Sequence, residues 1–281
     1  MRALPLPSAI SANVMTMCLN GTTDAALRAR LQAIVPNLAA SAASYQANAV
    51  AERLDLQARV PAVGGVSKAE LVALYATHLS ATKGSARAVY DQIRNAAPNK
   101  KCPLCGVGTV AVLDHHLPKA KYPDLSVVPA NLVPACHFCN DTKKARFPAS
   151  AGQQTLHPYY DARLINGRWL AAAIDRGPPV VITFAPSPPP AWPLIDRQRV
   201  ERHFAICGLG TVFASNANDE LGPLKTRLAA LEAAGGPAAV QAHLIEEAAS
   251  HAQRTNGWQL SLYEALAADP WFTAGGFHSI A

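Results

Sequence analysis

Between Thr23 and Leu56 apolar residues recur at intervals of three and four with alanine filling much of the rest, the spacing of one buried stripe along a helix. Pro36 brings no amide proton to a helical ladder, so the pattern predicts two helices divided there. After a turn-like VPAVGGV, Ser67 and Glu70 form a capping-box pattern. The serine hydroxyl can accept from the third helical amide while the glutamate reaches back, and a helix is predicted to begin at Lys68. Gly84 is expected to end it, and SARAVYDQIRNAA supplies another. The period then changes. Asn166-Gly167 separates two apolar-aromatic runs, and both residues tolerate positive φ, so a hairpin is predicted there, with PVVITFAP as a third strand. The prolines of PSPPPAWP fix their own φ angles and make an extended connector. Helical spacing returns in IDRQRVERHFAIC, DELGPLKTRLAALEAA, AAVQAHLIEEAASHAQ and QLSLYEALAADP.

The chain thus reads as a mainly helical α+β protein without internal repeats. Four regions follow: a helical region over 1–97, a cysteine-rich centre over 98–150, a small β element with the proline connector over 151–192, and a helical region over 193–281. Half of the residues are hydrophobic and 16% are charged, which excludes a disordered chain. No uninterrupted apolar run reaches the roughly 18 residues of a membrane span. The first 21 residues are mildly apolar, but Pro5 and Pro7 interrupt them and the basic start is thin, so no signal peptide and a cytoplasmic location are expected. The net charge of +6 changes the picture because of where it falls: Lys100, Lys101, Lys119, Lys121, Lys143, Lys144 and Arg146 lie in or beside the cysteine-rich centre. That concentration favours a polyanionic partner.

Four of the six cysteines fall in two CxxC pairs, Cys102 with Cys105 and Cys136 with Cys139, while Cys18 and Cys207 stand alone. This is a poor disulfide framework and a good metal site. A two-residue gap lets both sulfurs of a pair face one ion from a tight turn, and two such turns complete a tetrahedron around Zn²⁺. The alternative is four reduced, buried cysteines. Four thiolates would close the coordination sphere, so the zinc is expected to be structural and any catalysis to lie elsewhere.

Between the pairs lies LDHHLPKAKYP, residues 113–123. Taken with Asn131, Leu132, the second CxxC, Asn140 and Lys143, the run from Cys102 to Lys143 resembles the HNH endonuclease motif, the ββα-metal or His-Me finger, in its four-cysteine form. The resemblance covers about forty-five residues and implies that His115 is a general base for phosphodiester hydrolysis in DNA. It further implies that Asp114 and Asn140 hold a catalytic ion, that Asn131 braces the loop presenting the histidine, and that Lys143 faces the substrate phosphate or supports the transition-state charge. The residue types suit that chemistry. Histidine titrates near neutrality, and oxygen ligands suit Mg²⁺ or Mn²⁺ better than zinc.

Neighbours on a strand point to opposite faces, so His116 is expected to be a partly buried structural histidine, with contact to metal or phosphate as the alternative. His137 is expected to pack or to meet a phosphate. HPYYD, residues 157–161, is expected to pack a neighbouring element, with base stacking as the alternative, and His203 to sit in a core. The helical arm together with the finger and HPYYD is more loosely similar to the HNH components found beside ATPases in bacterial anti-phage defence systems of the Septu type, which implies an ATPase partner. A reading from a different class stays open: a zinc ribbon that binds nucleic acid as an adaptor without cleaving it.

Overall fold

A computed structural model describes residues 1–281, which divide into two compact units, 2–162 and 163–281. The four regions read from the sequence are distributed between these two units. The helical region 1–97 is not separate from the cysteine-rich centre, because Val14, Leu31, Leu71, Tyr75 and Val89 share one apolar core with Leu113, Val127 and Leu132. The β element, in turn, belongs with the C-terminal helices.

The first unit opens with α1 (Ser11–Gly21), which buries Val14, Met15, Cys18 and Leu19 along one stripe. The Asp24 carboxylate accepts from the amides of Ala26 and Leu27 at 2.9 and 3.0 Å and so caps α2 (Ala25–Ala33). Pro36 falls in the first turn of α3 (Val35–Val50), where its missing amide proton costs no ladder bond. The capping box is present as expected: Ser67 Oγ accepts from the Glu70 amide at 3.3 Å, and Glu70 Oε2 accepts from the Ser67 amide at 2.8 Å. The helix it starts, α4 (Lys68–Leu74), runs into one π-type turn, Tyr75–Ser80. Gly84 follows that end, where a Cβ would lie 2.2 Å from the His78 carbonyl oxygen, so the close approach of two backbones dictates glycine there. After α5 (Arg87–Asn95) comes the finger: β1 (Val112–His115) pairs antiparallel with β2 (Leu132–Ala135), and α6 (His137–Lys143) follows at once.

In the second unit the hairpin expected at Asn166-Gly167 is not formed. These residues end a short helix, α7 (Ala162–Asn166), with the Gly167 amide donating to the Arg163 carbonyl at 3.0 Å. Glycine is dictated by packing, since a Cβ would lie 2.5 Å from the Trp192 ring. The strands are instead β3 (Leu170–Asp175) and β4 (Val181–Pro186), joined further along the chain, and the second matches the expected third strand. Asn256 Oδ1 accepts from the amides of Trp169 and Leu170 at 2.9 and 3.1 Å and fixes the entry to this ribbon. Next is α8 (Leu194–Ile206), with His203 buried as expected. Two of the expected helices follow as one continuous stretch, α9 (Leu209–Ser250), broken where Gly236 takes φ 66° before Pro237. The chain closes with α10 (Trp258–Ala268) and α11 (Pro270–Thr273); β3 packs on α10 and β4 on α9. No helix is long and apolar enough to cross a membrane.

Candidate metal centre and adjoining cavity

The four paired cysteines converge. Their sulfur atoms all lie within 4.8 Å of one another, all four residues are buried, and none forms a disulfide. Tetrahedral bonds of about 2.3 Å to zinc place neighbouring sulfurs about 3.8 Å apart. The Cys105 and Cys136 sulfurs are 3.9 Å apart, so the cage has the dimensions for a metal such as zinc. Each half is shaped by its backbone. The first pair sits on a knuckle closed by the Cys102 amide donating to the Gly108 carbonyl at 2.8 Å and the Gly106 amide donating to the Cys102 carbonyl at 2.7 Å, with Gly106 at φ 77°. In the second pair Cys136 is the N-cap of α6, and its sulfur accepts from the Cys139 amide at 3.5 Å. Gly108 joins the halves: its amide donates to the Cys105 sulfur at 3.3 Å, and a Cβ on it would come within 2.8 Å of the Cys136 sulfur. Donors aimed at sulfur favour thiolate, the form that binds metal. Bonds from Cys102, then Cys136 and Cys139, hold the Cys105 thiol below its ordinary pKa.

The same finger carries the candidate catalytic residues. His115 ends β1, and its Nε2 lies 2.9 Å from the Ser126 carbonyl oxygen. A carbonyl only accepts, so Nε2 carries the proton in the neutral ring and Nδ1 keeps the lone pair. Tyr75 meets the imidazole edge-on at 4.5 Å, while the Tyr75 hydroxyl donates to the Leu113 carbonyl at 3.2 Å. Burial first, then the charge of Lys119, pushes the His115 pKa down to about 3, so the ring stays neutral. Asn131 is fully buried, and its amide forms a closed pair with one residue: Oδ1 accepts from the Leu117 amide at 2.8 Å and Nδ2 donates to the Leu117 carbonyl at 3.0 Å. It also fixes the neighbour, as the His116 amide donates to the Asn131 carbonyl at 2.8 Å.

A cavity of about 450 Å³ is lined by Asp114, His115 and Asn140 together with Tyr75, Lys119 and Lys144. Three of the five residues assigned to the reaction therefore share one space. Asn131 stands behind it as the brace. The fifth, Lys143, points away from the role of a phosphate contact: its side chain is buried, its Nζ lies 3.0 Å from Asp114 Oδ2 and 3.3 Å from Oδ1, and it donates to the His115 carbonyl at 2.7 Å. Lysines that do line the cavity are Lys119, whose ammonium also lies 4.3 Å over the Tyr75 ring, and Lys144. Asn140 donates to Asp141 Oδ1 at 3.2 Å and is half-buried.

His116 is buried on the other face of the finger, its ring 4.1 Å from that of His157. HPYYD packs, as expected, and does so with defined bonds. His157 Nδ1 accepts from the Tyr159 amide at 3.2 Å, which leaves Nε2–H to donate to the Tyr45 hydroxyl at 2.9 Å, and the Tyr159 hydroxyl donates to the Leu132 carbonyl at 2.7 Å. His137 is exposed, so the packing expected of it does not occur. Tyr75, Lys119 and Ser126 were not singled out in the sequence for these contacts. Tyr75 reaches His115 from a distant part of the chain and Ser126 from the loop after it, whereas Lys119 carried a local signal, a lysine next to the proline that ends the histidine loop.

Fold and site together define the class: a mainly helical α+β protein with two small antiparallel hairpins and a cluster of four buried cysteines able to bind a metal such as zinc. The sequence is similar to "Protein ea31" of Escherichia phage lambda, 29% identical over 237 residues that span 81% of this chain and 80% of that protein. No protein-family model matches the chain. No solved structure matches it either.

Proposed function

We propose that the protein is a metal-dependent endonuclease of the HNH type that hydrolyses phosphodiester bonds in DNA, with a structural zinc in the cysteine cage. The observation that carries this reading is the cavity shared by Asp114, His115 and Asn140, in which the histidine's Nε2 is committed to a backbone carbonyl. A neutral ring with its lone pair on Nδ1 is the form a general base needs. Asp114 and Asn140 offer hard oxygen donors that fit Mg²⁺ or Mn²⁺. Such an ion, when bound, supplies Lewis-acid stabilisation of phosphoryl and leaving-group oxygens. For the chain's own part, His115 Nδ1 takes a proton from water, whose oxygen forms a bond to phosphorus as the ester P–O bond breaks. The departing alkoxide is protonated by solvent. Lys119 and Lys144 supply positive charge along the cavity wall for the DNA backbone. Asn131 holds the loop after His115 in register, and Lys143 ties the end of α6 to the end of β1.

One observation favours a second reading, a zinc-dependent nucleic-acid-binding adaptor. Lys143 already neutralises the carboxylate that would hold the ion, so a divalent cation binds Asp114 only in competition with a buried ammonium. Supercoiled plasmid incubated with the purified protein in Mg²⁺ or Mn²⁺ separates the two. Nicking that requires the ion and disappears in His115→Ala, with the circular dichroism spectrum unchanged, supports the nuclease. Plasmid binding without nicking in either metal supports the adaptor.

A further inference from the structure

Lys143 is held by Asp114 and by the His115 carbonyl, so a cation facing a phosphate in the His115 cavity has to come from another residue. Two lysines line the cavity, and they differ. Lys144 is exposed, a cation that water solvates. Lys119 is half-buried and has neither a hydrogen bond nor an ion pair. Burial lowers its pKa, and no carboxylate offsets that cost. A partly desolvated ammonium that lines a cavity without a counter-charge is costly until an anion reaches it.

The position of this ammonium is defined by one ring. Its Nζ lies 4.3 Å from the Tyr75 ring centre, and the same ring meets the His115 imidazole at 4.5 Å. Cation and imidazole are therefore no farther apart than those two lengths laid end to end. Bent at each oxygen, a water and one phosphate between them, with hydrogen bonds of about 2.8 Å and an attack distance of about 3 Å, fit within that reach.

We infer, resting on the nuclease reading above, that Lys119 is a catalytic residue whose ammonium donates to a non-bridging oxygen of the scissile phosphate. It offsets the negative charge that builds there as water attacks, the role that the sequence had suggested for Lys143. The test compares Lys119→Met with Lys83→Met, which removes the same charge from an exposed lysine outside the cavity, on supercoiled plasmid in Mg²⁺ or Mn²⁺. Expected for Lys119→Met is a cleavage rate at saturating plasmid lower by about 10²-fold or more, the usual effect of losing one donor to transition-state charge. Plasmid affinity, measured in the His115→Ala background, should change far less, and the melting midpoint should stay near that of the wild type. Lys119→Arg, which keeps the charge, should retain more of the rate, and Lys83→Met should cleave as the wild type does. Lys119→Gln takes the same measurements if the methionine variant does not fold. A wild-type rate in the folded variant, or a loss confined to affinity, would overturn the assignment and leave the nuclease reading standing. Absence of ion-dependent cleavage by the wild type would overturn both.

Discussion

The cysteine cage and the His115 cavity share one segment of the chain, yet they are assembled by different means. The cage is local. Each pair of ligands comes from one turn, the amides that donate to sulfur come from within three residues, and one glycine, Gly108, spaces the halves. The cavity is not local: His115 is oriented by Ser126, crowded by Tyr75 and neighboured by an ion pair between residues 114 and 143. A site made of turns depends on its metal, whereas a site made of long-range contacts depends on the core that delivers them. Substitutions in each site separate these dependences.

Removing the metal should have the largest effect. Structural zinc contributes on the order of 10 kcal/mol in small zinc domains, so a strong chelator, or Cys139→Ser, should melt the finger and, through the core it shares with α1 to α5, the whole first unit. Calorimetry with and without chelator should show the first unit's transition lost and the second unit's transition retained.

Lys143→Met comes next. It strands a buried carboxylate, and breaking a buried pair on one side costs about 3 to 5 kcal/mol. Under the nuclease reading millimolar Mg²⁺ should recover part of that loss by taking the lysine's place at Asp114, which denaturant midpoints with and without Mg²⁺ would show. No recovery would favour the adaptor. Asn131→Ala leaves the Leu117 amide and carbonyl unpaired inside the protein, at about 1 to 3 kcal/mol for each orphaned group. Because the bracing pair lies two residues from His115, cleavage should fall further than stability, and cleavage measured well below the unfolding midpoint checks this. Smallest is Tyr159→Phe, which removes one bond to the Leu132 carbonyl and should cost about 1 kcal/mol by urea unfolding.

The same contrast explains what could be read from the sequence. The cage was legible because its geometry is written in adjacent residues, CxxC twice, whereas the need for glycine at 108, where backbone passes close to sulfur, shows only after folding. The capping box at Ser67 and the first-turn proline of α3 were legible for the same reason. Asp114, His115 and Asn140 were singled out by the resemblance to the HNH motif, and the structure lines one cavity with all three. The resemblance that placed Lys143 toward phosphate or transition-state charge carried no sign of the carboxylate that lies 3.0 Å from it after folding. Asn166-Gly167 misled similarly: the pair suits a tight turn, yet the glycine is there to admit Trp192, a residue 25 positions later.

The central claim is that the His115 imidazole removes the proton from the attacking water. Single-turnover cleavage of a DNA duplex in saturating Mg²⁺, comparing the wild type with folded His115→Ala, tests it most directly. Loss of a general base predicts a rate lower by about 10²- to 10⁴-fold. Cleavage by the variant at the wild-type rate, or none by the wild type in any divalent metal, would contradict it.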